Sequence, residues 1–119
     1  MGAITTVTEN DRAIVAFART LQTAHGFSGV WLLDARDGQM TTPDGEYRML
    51  LVSSHYRTLE PRERQIGLHD IFYGLGGFAP LDLICLTPEE FEGTKNRPTR
   101  VQSVMPDAID LLAVASAPA

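Results

Sequence analysis

Residues 30–52 read VWLLDARDGQMTTPDGEYRMLLV, and the fold depends on how this stretch divides. Val30 to Leu33 is a short apolar run with a β-branched start, and the Asp, Gly, Thr and Pro residues after it end a buried strand and open a loop over about 34–45. A second strand is predicted from Tyr47 to Val52. Alternation along it places Glu46, Arg48, Leu50 and Val52 on one face and Tyr47, Met49 and Leu51 on the other. Charged side chains therefore gather where the first strand ends and the second begins.

Working outward, Thr8 followed by Asp11 marks a helix start, and Ala13, Ile14, Phe17, Ala18 and Leu21 recur at helical spacing up to Gly26. An amphipathic helix is predicted over 9–25. Pro61 suits the first position of another helix, with an inner stripe of Ile66, His69, Phe72, Tyr73 and Gly76 before the Gly76-Gly77 stop. That helix would cross to a third strand, Leu81 to Leu86. Thr87, Pro88 and Glu90 then form a capping box that opens a short helix. The last stretch is helical from Thr99 to Met105, breaks at Pro106 and resumes from Asp107 to about Ala115. The expectation is a single domain over 1–119, with its core at about 9–112 and a frayed tail at 116–119.

A formal charge of −5 argues against broad nucleic-acid binding, which needs basic surface to displace counterions. The lone cysteine, Cys85, sits in an apolar run and has no internal partner, which fits a reducing, cytoplasmic setting. No apolar run approaches the length of a membrane span, so no membrane association is expected. No His/Cys cluster has zinc spacing, and neither a metal nor a cofactor is expected. YGLGGFAP, 73–80, follows a helix and lacks the lysine of a phosphate loop; it reads as a helix stop. The Lys95 to Arg100 stretch reads as a solvated loop. Trp31, Tyr47, Phe72 and Phe78 read as core or interface.

The 30–52 stretch resembles the minimal nucleotidyltransferases of the DNA polymerase β superfamily. Val30, Leu32, Arg36, Pro43 and the run Leu50, Leu51, Val52 fall in family positions. PLDLICLTPEEFE, 80–92, resembles that family's later strand and turn and puts Asp82 on its third carboxylate. The resemblance covers about 9–92 and implies an α/β nucleotidyltransferase fold: a small mixed sheet flanked by helices mainly on one face. The chain departs from the family at its chemistry. The Gly-Ser pair falls on Asp34 and Ala35, the following Ser on Gly45, and the Asp-x-Asp pair on Glu46, Tyr47 and Arg48.

Nucleotidyl transfer needs Mg²⁺ on hard carboxylate ligands. Arg48 puts a guanidinium where that cation would bind, a like-charge contact on the order of 4 kcal/mol at 4 Å and an effective dielectric of 20. Asp34 adds an anion where the triphosphate would lie, and Ala35 removes a hydroxyl. Both changes oppose Mg-triphosphate. Arg48 is expected to pair with Asp82 or Glu46. Three functions stay open. The leading one is a degenerate module that binds a small molecule or a protein partner; the resemblance implies small helical HEPN proteins of toxin–antitoxin systems, and hence an antitoxin-like role. The second is a repurposed, metal-free enzyme with Glu46 and Asp82 as acid/base candidates, His55 as a further candidate, and Asp34, Arg36 and Arg48 binding an anionic metabolite. The third is a residual transferase. Few strands and an apolar end helix, Ile109 to Val114, suggest a homodimer.

Overall fold

The structure is a computed structural model and describes residues 9–35, 39–42, 45–95 and 99–116. Its first helix, α1 (Glu9–His25), has the predicted bounds. Gly26, at φ 70°, ends it: the Gly26 amide donates to Gln22 O and the Phe27 amide to Leu21 O. A left-handed residue at this position is the usual way for a helix to satisfy its last carbonyls.

Strands β1 (Gly29–Leu33) and β2 (Tyr47–Val52) pair antiparallel, with Leu33 opposite Arg48 and Gly29 opposite Val52. From β2 the chain passes through two 3₁₀ turns, Ser54–Thr58 and Pro61–Glu63, into helix α2 (Leu68–Gly74). This crossover returns it to β3 (Leu81–Leu86), parallel to β2, with Asp82 opposite Arg48. Helices α3 (Pro88–Thr94) and α4 (Arg100–Val104) and a 3₁₀ turn, Met105–Asp107, follow. A two-residue strand β4 (Ile109–Asp110) then pairs antiparallel with β1 and leads into α5 (Leu111–Ser116). Among the described residues the sheet order is β3-β2-β1-β4, a mixed four-stranded sheet in a small α/β domain.

Alternation on β2 falls as predicted. Tyr47, Met49 and Leu51 face α1 and α2 and pack with Phe17, Leu21 and Phe72. Leu50 and Val52 face the other way, with Leu33, against Trp31, Phe91 and Val101. Helices therefore cover both faces of the sheet, rather than mainly one. The reason is apolar content: Leu33, Leu50 and Val52 are at most 3 % exposed and need cover from α3 and α4. Thr87 caps α3 as predicted. Its Oγ1 accepts from the Glu90 amide at 3.1 Å, and Glu90 Oε1 accepts from the Thr87 amide at 2.9 Å.

Two predicted helices are corrected. The stripe read over 61–76 is not one helix, because Gly67 at φ 85° resets the helical phase. Leu68 and Phe72 turn inward, leaving Ile66 76 % and Tyr73 52 % exposed. The closing helix does not resume at Asp107. Ile109 and Asp110 join the sheet, and Asp110 Oδ1 accepts from the amides of Leu112 and Ala113, so helix restarts only at Leu111. Leu111 is buried against this chain's own core, while Ile109 and Val114 stay partly exposed. No helix among the described residues is long and apolar enough to cross a membrane.

The 3₁₀ segment is tied to α3 through Arg64, 8 % exposed, whose NH1 donates to Cys85 O at 3.1 Å and to Glu90 Oε1 at 2.6 Å. The Arg64 guanidinium, helped by the Thr87 amide, holds the Glu90 carboxyl below the usual carboxylate range. The stability this contributes is complete above the ordinary glutamate range and is lost as pH falls through the depressed folded value. Glu90→Gln is expected to lower stability by about 1 kcal/mol at neutral pH, a modest effect because the carboxylate is 44 % exposed. Urea denaturation across acid pH checks this: the gap between the two proteins should close as pH falls, and a constant gap would contradict it.

Candidate functional site

Four charged side chains meet at one end of the sheet. Arg48 enters β2 one residue after Tyr47, and the parallel register sets Asp82 of β3 beside it. Asp34 follows β1 in the left-handed region, at φ 58°, a conformation that Asp tolerates better than most residues. Glu46 is held by a tight turn: the Thr42 amide donates to Glu46 O at 2.8 Å and the Gly45 amide to Thr42 O at 2.9 Å. Gly45 has φ 83°, a left-handed conformation that glycine adopts without strain.

Each guanidinium nitrogen of Arg48 meets a different carboxylate. Nε donates to Asp82 Oδ2 at 2.8 Å, NH1 to Asp34 Oδ2 at 2.6 Å and NH2 to Glu46 Oε1 at 3.1 Å. The side chains are partly shielded, with 20 % of Arg48, 17 % of Asp34, 28 % of Glu46 and 41 % of Asp82 exposed. Charge-assisted bonds to Asp34 and then Asp82 raise the Arg48 pKa further above its ordinary value, so the guanidinium is a fixed cation. The expected pairing of Arg48 with Asp82 or Glu46 thus includes both, and Asp34 as well.

Beside this cage lies a depression of about 400 Å³ lined by Asp34, Ala35, Ser103, Val104 and Asp107. Its far wall is α4 and the 3₁₀ turn after it. Asp107 brings another carboxylate to the cleft. It follows Pro106 at a helix break, and nothing local in the sequence points it toward Asp34.

Other expected site residues fall elsewhere. Arg36 and Pro43 lie outside the described residues. His55 does not approach the cage. It lies in the 3₁₀ turn after β2, beyond the end of the strand that is four residues, about 13 Å at the usual rise, from Arg48. Its amide donates to Ser53 Oγ, which turns the chain away from the sheet there. His69 is half-buried beside the Tyr73 ring, and His25 is exposed in the last turn of α1. Cys85 is only partly buried, and burial pushes its thiol pKa up, which opposes nucleophilic use. Lys95 pairs with Glu92 and lies over the Phe91 ring, while residues 96–98 lie outside the described residues. Tyr47 and Phe72 are core, as expected, Trp31 stacks on Phe91, and Phe78 is 71 % exposed. Among the described residues, no set of three His, Cys, Asp or Glu side chains is arranged to hold a metal ion.

Chemically, the cage is a preformed ion-pair cluster of formal charge −2 whose three carboxylates share one guanidinium. Comparison of the chain with protein-family models, with curated proteins and with solved structures finds no match.

Proposed function

We propose that this chain is a nucleotidyltransferase-like module that has exchanged a divalent-cation site for a fixed guanidinium and acts by binding rather than by nucleotidyl transfer. The observation that carries this reading is the placement of Arg48 among Asp34, Glu46 and Asp82, at 2.6 to 3.1 Å from each. In the resembling superfamily, carboxylates on neighbouring strands hold Mg²⁺. Here a metal ion would have to displace or face the Arg48 guanidinium, and electrostatics oppose both. The residues present do not fit the metal.

The residual charge also bears on the occupant. Asp34 and Asp107 line the cleft beside a cage that is already net negative, an arrangement that repels a triphosphate and favours a neutral or cationic group. A basic or neutral surface of a protein partner fits this cleft better than an anionic metabolite does. Glu46 and Asp82 are both engaged by Arg48, which favours binding over acid-base chemistry.

Calorimetry with ATP in the presence and absence of Mg²⁺ tests the reading. The unaltered chain is expected to show no Mg²⁺-dependent heat and no transfer of labelled AMP to itself. Arg48→Asp, which removes the cation and adds a ligand, is expected to gain binding of Mn²⁺. Mg²⁺-dependent nucleotide binding or AMP transfer by the unaltered chain would overturn the proposal.

A further inference from the structure

At the other end of the sheet from the Arg48 cage, a cavity of about 550 Å³ opens between the C-terminal turn of α1, the 3₁₀ segment and the start of α2. Its size is within the range that holds small ligands. Phe27, Leu59, Leu68 and Ile71 give it apolar walls, and Ile66 stands 76 % exposed among the lining residues. An apolar body seated there would supply the burial that Ile66 lacks.

The polar groups left over in this lining are acceptors. Helix α1 is 17 residues long, and Ala24 and His25 of its last turn line the cavity. The amides of Gly26 and Phe27 close the carbonyls of Gln22 and Leu21, while the Ser28 amide donates to Val52 O. Among the described residues, the carbonyls of Ala24 and His25 therefore receive no backbone donor, and the negative end of the helix dipole lies at the cavity. Glu63 adds a carboxylate. Its Oε1 accepts from the Glu60 amide at 3.1 Å, and no cation pairs with it among the described residues. The fixed cation of the lining, Arg64, is already neutralised: NH1 and NH2 both donate to Glu90, which does not line the cavity. His25 and His55 complete the polar lining, and a neutral imidazole also offers one acceptor nitrogen.

We propose that this cavity is a binding site for a small primary amine with an apolar body, its ammonium directed to Glu63 and the C-terminal carbonyls of α1 and its body against Phe27, Leu68 and Ile71. An ammonium carries three donors and no acceptor, which matches a lining whose free groups accept. The formal charge of −5 on the chain adds a long-range attraction of the same sign. The site is independent of the Arg48 cage, which lies beyond the far end of β2, and of the function proposed for that cage.

Amide-resolved NMR titration at pH 8 with 2-phenylethylamine tests the site, with 2-phenylethanol and 3-phenylpropionate as bodies of similar size that are neutral and anionic. Saturable shifts are expected at His25, Phe27, Glu63 and Ile71. The alcohol should bind about fivefold more weakly than the amine, the loss expected when an ion pair and a helix-dipole contact at a surface cavity are both removed, and the carboxylate more weakly still. Glu63→Gln keeps an acceptor for the Glu60 amide, so the turn is preserved; it should weaken the amine by about threefold and leave the alcohol unchanged. Ala24→Trp, at an exposed lining position, should block both ligands while leaving the fold intact. Shifts that do not saturate, an alcohol or carboxylate that binds as tightly as the amine, an amine affinity unchanged by Glu63→Gln, or binding that survives Ala24→Trp would each overturn the assignment.

Discussion

Arg48→Met is expected to lower the stability of the domain by about 2–3 kcal/mol and its melting temperature by roughly 10 °C. Methionine keeps an unbranched apolar stem, so the loss isolates the charge. Without the guanidinium, Asp34, Glu46 and Asp82 face one another in a partly shielded pocket, with no other ion-pair partner for them among the described residues. Removing one partner of a buried ion pair costs about 3–5 kcal/mol, and the partial exposure of this cage reduces that figure. The penalty should shrink in high salt, where the remaining carboxylates are screened. Adding Asp82→Asn to the Met variant should recover part of the loss, because one repelling charge is gone; additive losses would show that the side chains do not act as a unit. Urea denaturation of the single and double variants measures both. A neutral Arg48→Met would make the cage incidental to folding and would weaken the functional proposal with it.

Phe72→Ala is expected to be the most damaging core substitution considered, at about 3–5 kcal/mol. Its ring is fully buried and meets Phe17 at 5.8 Å and Tyr47 at 6.3 Å, both edge to face, so it joins α1, α2 and β2. Gly77 lies against the same ring: a Cβ there would come within 2.2 Å of Phe72 Cζ. Gly77→Ala should therefore destabilise the unaltered chain and be close to neutral in the Phe72→Ala background, where the ring is absent. A double-mutant cycle by chemical denaturation gives the coupling directly. Equal costs in both backgrounds would mean that the Gly77 backbone, rather than the ring, sets the requirement. Gly29 offers a contrast. Its Cβ would meet the Trp31 ring at 2.1 Å, but that ring is only partly buried and has more room to yield.

Local rules account for much of the fold. Helix α1 runs over its predicted span because its apolar spacing and the glycine after it are local signals. The two faces of β2 and the capping box of α3 follow in the same way from side-chain alternation and from a three-residue spacing. The 61–76 stripe failed because helical periodicity assumes an unbroken phase, and Gly67 in the left-handed region breaks it. β4 was not legible, since two residues carry no periodic signal and pair only because the outer edge of β1 is available. His55 was misplaced because nearness in sequence to a charged strand does not say at which end of the strand a residue emerges.

For the candidate site, the residue types that oppose metal and triphosphate, Arg48 and Asp34, are written in the sequence, as is the carboxylate on a neighbouring strand. Their chemistry needs no coordinates, since charge is a property of each side chain. What the tertiary structure decided is how that charge is distributed. The parallel register of β2 and β3, the left-handed turn at Asp34 and the Gly45 turn bring three carboxylates from separate segments onto one guanidinium. It also placed Asp107 beside them and left a cavity between α1, the 3₁₀ segment and α2 at the opposite end of the sheet. Both arrangements are sums of contacts between residues far apart in the chain, and such contacts exist only once the sheet has set the register and the helices have closed over it.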